Sequence, residues 1–287
     1  MSHLIFGAQT SSSNINNFNA FGLALETALA TMFTKVVQST DPDWITTPSA
    51  VPSTPSTGFI YRLNDSLQAT HPIFIKFDLG NSGFGGLHVA ITIGKGEDGD
   101  GNITSVIFPK TEVMGRPNHS SSIQNCYLSN AGGSGLCLSL SPAVDSSGYI
   151  VIERARDSAG NALGEGLMVV YHNQSNGSFR PVTNVYSYAT TAVNSLPNGC
   201  FFIPFNLSVN NSVAFGTTAP IFPGTVINPD GLLWVPRAIL GAAVANMGLG
   251  QVVTSLLEGV DYMGLGLGSP YADCAKQQYS SAMIRWD

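Results

Sequence analysis

The residues best suited to hold an ion are four oxygen donors in one short run, Glu97, Asp98, Asp100 and Asn102 within GKGEDGDGN. Spaced carboxylates suit hard cations, and the helix–loop–helix calcium loop needs Gly at its sixth position and Glu at its twelfth. Counted from Asp98, those positions hold Ile103 and Pro109. The run is therefore read as a polar hairpin tip, and no metal ligand is assigned. The histidines His3, His71, His88, His119 and His172 contain no pair four residues apart that one helix face could offer to zinc. His88 stands in an alternating strand, opposite in phase to the apolar positions, and is read as a sheet-face side chain. His119, in RPNHSSS, is read as a solvated loop residue.

Nucleophiles are abundant, but their settings are not those of activated groups. The string Gly132-Gly-Ser-Gly135 is followed by Leu136, which leaves a GxSxG elbow incomplete. The Gly-rich MGLGLGSPY, residues 263–271, lacks the Lys that meets a phosphate in a nucleotide loop. Cys126, Cys137, Cys200 and Cys274 form no CxxC pair and are read as buried, reduced thiols. A carboxylate pair able to cleave glycosides can come from distant strands, and among 18 acidic residues a close pair arises by chance. No catalytic, cofactor-binding or metal-binding residue is assigned, and the chain is read as non-enzymatic.

The elements that would position such residues are mostly strands. Ile73, Ile75, Phe77 and Leu79 alternate with Phe74, Lys76 and Asp78. Leu87, Val89, Ile91 and Ile93 do the same, and period two marks a half-buried strand. Further strands are expected at 59–63, 103–108, 136–140, 149–153, 167–171, 182–188, 200–205, 209–215 and 282–286. Frequent Gly (31) and Pro (16) punctuate them. The expected fold is mainly β, an antiparallel sandwich or jelly-roll-like domain over 59–287. Residues 1–38 are expected to form a polar arm followed by an amphipathic helix, and 39–58 a Pro/Ser/Thr-rich connector.

The helix expectation rests on spacing. Phe18, Phe21, Leu25, Leu29, Met32 and Val36 recur every three or four residues. That places them on one stripe of a helix over about 17–37, capped by Asn16 or Asn17. Burying that stripe contributes on the order of 9–18 kcal/mol before entropy is counted. It must cover either the chain's own sheet or a neighbouring subunit. These six residues, with Trp44 in the connector, are the candidate interface. Residues 238–257 carry no charge over a membrane-spanning length, but Asn246 and Gln251 would be costly in lipid. A short buried helix after Pro236, ending near Gly248, is expected there instead of a membrane span.

Composition narrows the function. Charged residues make up 10% of the 287, and mean hydropathy is +0.16. The 12 Lys and Arg are scattered, so the phosphate contacts of a nucleic-acid binder are not expected. The N-terminus shows no basic-then-apolar secretory pattern, and Asn-x-Ser/Thr triplets are read as by-products of composition. A neutral, Ser- and Asn-rich surface has little charge to repel neighbours, and it suits a subunit covered by partners.

One stretch carries a resemblance. FNAFGLALETAL is followed by a Trp in the connector, then GFIYRLNDSLQATHPIFIKFDLGN and LHVAITIGKGEDGDGNIT. This order resembles a group of tailed-bacteriophage virion proteins, over roughly residues 15–110, and the closing SAMIRWD is similar to strand endings there. The resemblance implies a structural protein of the tail, baseplate or adsorption apparatus, located in the virion. It also implies assembly with other virion proteins, with no known catalytic residues or cofactor. A homo-oligomer is expected. Alternatives are a capsid decoration protein and a host-surface glycan binder, the latter using Tyr127, Tyr186, Tyr188 and Tyr271 as stacking platforms. A polysaccharide depolymerase is a more distant one.

Overall fold

A computed structural model describes residues 1–9, 14–46, 48–81, 87–114, 123–140, 148–157, 159–172, 182–187, 201–203, 221–223, 225–228, 231–242, 250–255, 258–265 and 281–287. In chain order, the first elements are β1 (His3–Gln9), α1 (Ile15–Ala30), β2 (Thr34–Val36), β3 (Thr57–Arg62), β4 (Phe74–Asn81), β5 (Leu87–Glu97) and β6 (Ile103–Met114). Then come β7 (Ile123–Ser129), β8 (Gly135–Leu140), β9 (Gly148–Arg156), β10 (Ala162–His172) and β11 (Val182–Ser187). Short strands follow: β12 (Phe201–Ile203), β13 (Ile221–Pro223), β14 (Thr225–Asn228) and β15 (Gly231–Trp234). The last are β16 (Ile239–Ala242), β17 (Val252–Thr254), β18 (Asp261–Gly264) and β19 (Ser281–Arg285).

All strand pairs described are antiparallel. The central sheet runs β1-β7-β8-β9-β10-β11, and the second β2-β3-β4-β5-β6. A third runs β13-β16-β19-β18-β17, and a small one β12-β14-β15. The main-chain order is mostly consecutive, as hairpin-linked strands produce.

The central sheet is buried on both faces, which explains why β8 reads LCLSL with no polar face outward. Leu128, Leu136, Leu138, Ile150, Ile152 and Leu167 point one way, into a core shared with Phe59, Phe77, Val89 and Ile91 of the second sheet. Their neighbours Tyr127, Cys137, Tyr149, Val151, Met168 and Val170 point the other way, against Ile239, Met263 and Ile284 of the third. Strand periodicity thus distributes one sheet's side chains between two cores.

Helix α1 is narrower than its periodicity predicts. Asn14 is the N-cap, its side chain accepting from the Asn17 amide at 2.8 Å, so the cap is neither Asn16 nor Asn17. The helix ends at Ala30, where the Thr31 amide reaches the Ala28 and Leu29 carbonyls. Val36 is not helical: β2 pairs Thr34–Val36 with Arg62–Ile60. The β-branched run Thr31, Thr34, Val36, Val37 has weak helix propensity, and a strand edge was available to take it. Two further expectations are corrected. The N-terminal polar arm contains β1, whose Phe6 and Leu4 pack on the first core. The stretch after Pro236 opens with strand β16, not a helix, because ILGA completes the third sheet beside β19; short apolar runs do not separate the two by period. Strand 209–215 lies outside the described residues.

The connector is strapped down. The Ser56 amide bonds the Leu79 carbonyl at 3.1 Å and the Asn81 amide bonds Pro52 at 2.7 Å. Trp44 is buried, edge-on to both Phe18 and Phe59. It crosses α1 at Gly22, where a Cβ would stand 2.5 Å from the indole carbons Cε3 and Cζ3. In an exposed helix Gly→Ala stabilises by about 1 kcal/mol. Here Gly22→Ala is expected to lower the melting temperature, because the indole must move out of a packed core. Calorimetry checks this, and an unchanged or raised melting temperature contradicts the close packing.

Candidate functional site

Three clusters of ionisable side chains gather among the described residues. The first surrounds a cavity of about 410 Å³ between α1 and the connector, lined by Leu23, Glu26, Lys35, Trp44, Ile45 and Tyr61 among others. The fourth turn of α1 turns Glu26 towards the connector. Its carboxylate accepts from the Trp44 indole N–H at 2.6 Å and from the Lys35 ammonium at 2.5 Å. Lys35 also reaches Asp41 at 3.0 Å. Burial works to lower the Lys35 pKa, but its hydrogen bonds to Glu26 and Asp41 outweigh this and raise it. The Tyr61 hydroxyl donates to the Glu26 carbonyl at 2.8 Å, and burial pushes its phenol upward. The charges of Glu26, Lys35 and Asp41 hold one another, and the rim carries Ile45, 83% exposed, beside the carboxylate of Asp43.

The second cluster lies on the polar-phase face of β4, β5 and β6. Asp78, buried to 1% exposure, sits between the ammonium groups of Lys76 at 3.2 Å and Lys110 at 3.1 Å. Lys110 also donates to the Pro55 carbonyl at 2.5 Å, so the connector roofs this face. The connector also passes over Gly80, the register partner of His88, and His88 is 2% exposed, although its phase marked it only as a sheet-face side chain. Its Nδ1 stands 3.0 Å from the Glu112 carboxylate. Desolvation lowers the His88 pKa, and the nearby Glu112 only partly offsets this.

The third cluster is built by β9. Arg154 places its guanidinium fork on Asp65, with a second contact at 3.1 Å, and donates to the His71 carbonyl at 2.8 Å. Asp65 and His71 belong to the loop before β4. On the other face Glu153, fully buried, accepts from Arg156 at 2.6 Å. It also accepts from the Ala238 amide at 2.9 Å and the Arg237 amide at 3.0 Å, at the entry to β16. Arg156 continues to Ser134 Oγ at 2.5 Å and the Gly160 carbonyl at 2.7 Å. Adjacent residues of one strand thus fasten the central sheet to both neighbours.

Of the candidate interface residues, Trp44 borders the first cluster and the others lie in the core or on β2. Phe18, Phe21, Leu25, Leu29, Met32 and Trp44 are gathered into the chain's own core, and Val36 lies half-buried on β2. Of the stripe's two possible covers, the described structure supplies the chain's own sheets. The acidic tip is closed on itself. Asp98 accepts from the Asp100 and Asn102 amides, both at 2.9 Å, and these bonds lower its pKa, with the Asn102 side chain contributing most. Glu97 takes Gln38 at 2.9 Å and the Gly99 amide at 2.7 Å. Tyr127 is buried against Trp286. Cys126 and Cys137 are buried thiols, the first pushed up to about 12 by burial and the second also well above its usual value. His119, Tyr188, Cys200, Tyr271 and Cys274 lie outside the described residues.

Sequence reasoning missed Asp65, Glu153, Arg154 and Arg156. A signal existed: in so charge-poor a chain, ERAR follows the apolar run YIVI without a turn. No family model matches the chain, and no curated protein matches it significantly.

The His88 arrangement carries a pH dependence. A histidine whose folded pKa is depressed binds protons more readily when unfolded, so it contributes stability above the ordinary imidazole value of 6.5 and loses it as pH falls below. Melting temperature should fall as the wild-type chain is acidified through that window. His88→Phe should flatten part of that slope, and parallel profiles for the two proteins would contradict the assignment.

Proposed function

We propose that this chain is a non-enzymatic structural subunit of a tailed-bacteriophage particle, working in the tail, baseplate or adsorption apparatus. The observation that carries the reading is how its few charges are used. The three ionisable clusters are bonded internally, as fastenings between elements. Meanwhile Ile5, Leu23, Val37, Ile45, Ile123 and Val252 face water at 44–83% exposure. A surface with neutral polar groups and scattered large apolar ones is poorly protected against association, which favours a role in which neighbours cover it. The resemblance over residues 15–110 supplies the setting, the virion, and the partners, other virion proteins and further copies of the chain.

The fold fits such a role as a stacked β-sandwich. Two cores, each shared by facing sheets, support that description. The mostly consecutive strand order favours hairpin-built layers over jelly-roll crossings.

Proteomic analysis of gradient-purified particles tests the reading. The chain should be recovered with the tail proteins at a reproducible ratio. Its absence from particles, with abundance in the lysate, would contradict it. Immunogold labelling of the head instead of the tail would move the assignment to a decoration protein.

A further inference from the structure

Sheet edges are the places where a β protein can grow, since they present unpaired N–H and C=O groups. Most edges here are blunted. β2, β13 and β17 are three residues long, and β13 ends in Pro223. β6 carries Pro109, Lys110 and Glu112, and its register with β5 breaks three times. β11 lies beside β6. β1 packs against α1 through the core that Leu4, Phe6 and Ala8 share with Phe18 and Phe21, but its own sequence and pairing have none of these devices. It is seven residues, HLIFGAQ, without Pro, Lys, Arg or acid, and its register with β7 is unbroken. Among the described residues it has a strand on one side alone.

The direction of its free groups can be read. The Asn130 amide donates to the Ser2 carbonyl at 2.9 Å, in line with the His3↔Ser129 register. Antiparallel pairs alternate between bonded and non-bonded. Leu4, Phe6 and Ala8 therefore bond β7, and the backbones of His3, Ile5, Gly7 and Gln9 point outward. Gly7 is exposed and has no side chain, so its exposure is that of the backbone itself. Ile5, at 52%, is exposed beside it.

We propose that this edge pairs with β1 of a second copy of the chain, antiparallel, about a twofold axis passing between the two Phe6 residues. The inference deepens the assembly proposed above, and rests on it for the choice of a second copy. The strand is self-complementary in that register. Ile5 faces Gly7 and Leu4 faces Ala8, each a large residue against a small one, and Phe6 faces Phe6. The outward-pointing pairs, His3 with Gln9 and Ile5 with Gly7, are the ones that exchange hydrogen bonds. With no charge at the edge, two copies meet without like-charge repulsion, and a strand lined with Lys or Glu would gain no counter-ion. A twofold repeats every contact, as an isologous interface requires, and joins the two central sheets into one.

Sedimentation equilibrium on the full-length chain tests this. The wild type should dimerise. Ile5→Pro removes an outward amide that β7 does not use, and Pro is tolerated at such positions; Ile5→Lys adds a charge at an exposed side chain. Each should weaken dimerisation by roughly tenfold or more with little change in melting temperature, and Val252→Lys should not. Phe6→Cys should form an intermolecular disulfide on oxidation, and His3→Cys, far from its mate in this register, should not. A monomeric wild type, or a dimer indifferent to both Ile5 variants or lacking the Phe6→Cys cross-link, overturns the proposal. A wild type that instead captures a strand of another protein at β1 does so too. Particle proteomics is independent of all these outcomes, so loss of this interface leaves the virion role to its own test.

Discussion

Two consecutive residues of β9 hold the layers of this protein in place. Because side chains alternate along a strand, Glu153 and Arg154 leave opposite faces of the central sheet. Arg154 reaches Asp65 beside the second sheet, and Glu153 collects the Arg237 and Ala238 amides at the start of β16. A charge buried at this depth is costly unless every lone pair or proton finds a partner. That requirement fixes where the two outer sheets sit. Apolar cores alone tolerate sliding; a two-point guanidinium–carboxylate contact does not. The connector and cavity lie against the second sheet, and α1 spans from it to β1 of the central sheet, so their geometry follows from this fastening.

The periodic elements were legible in the sequence. β4 and β5 alternate cleanly because the second sheet has one strongly apolar face, and α1 shows its stripe because Phe18, Phe21, Leu25 and Leu29 point into the same core. What was not legible lies where period gives way to partnership. Val36 continues the helical spacing, yet it is drawn into β2 by Ile60. β1 looked like a polar arm because seven residues are a small sample, and its strand character comes from β7, far along the chain. The site was less legible still. Arg154 and Asp65 are separated by 89 positions, and no local pattern in either segment announces the other. His88 was placed on the correct face, but the connector passes over its register partner Gly80 along a path no periodicity describes.

The low charge of the chain acquires a meaning from this arrangement. Asp65, Arg154, Glu153 and Arg156 stand between sheets, while Asp43, Asp98, Asp100 and Asp157 remain exposed among neutral polar groups and scattered aliphatic side chains. A free-standing protein with such an exterior is prone to associate. A subunit built to be surrounded turns the same exterior into contact area.

The central claim is that Glu153 couples the third sheet to the rest. Hydrogen-exchange mass spectrometry of Glu153→Gln against the wild type tests it most directly, since the amide keeps the shape and removes the charge. The account predicts roughly tenfold or faster exchange in β16 and β19, with β4 and β5 unchanged. Equal protection in both proteins, or a uniform loss across every sheet, would contradict it.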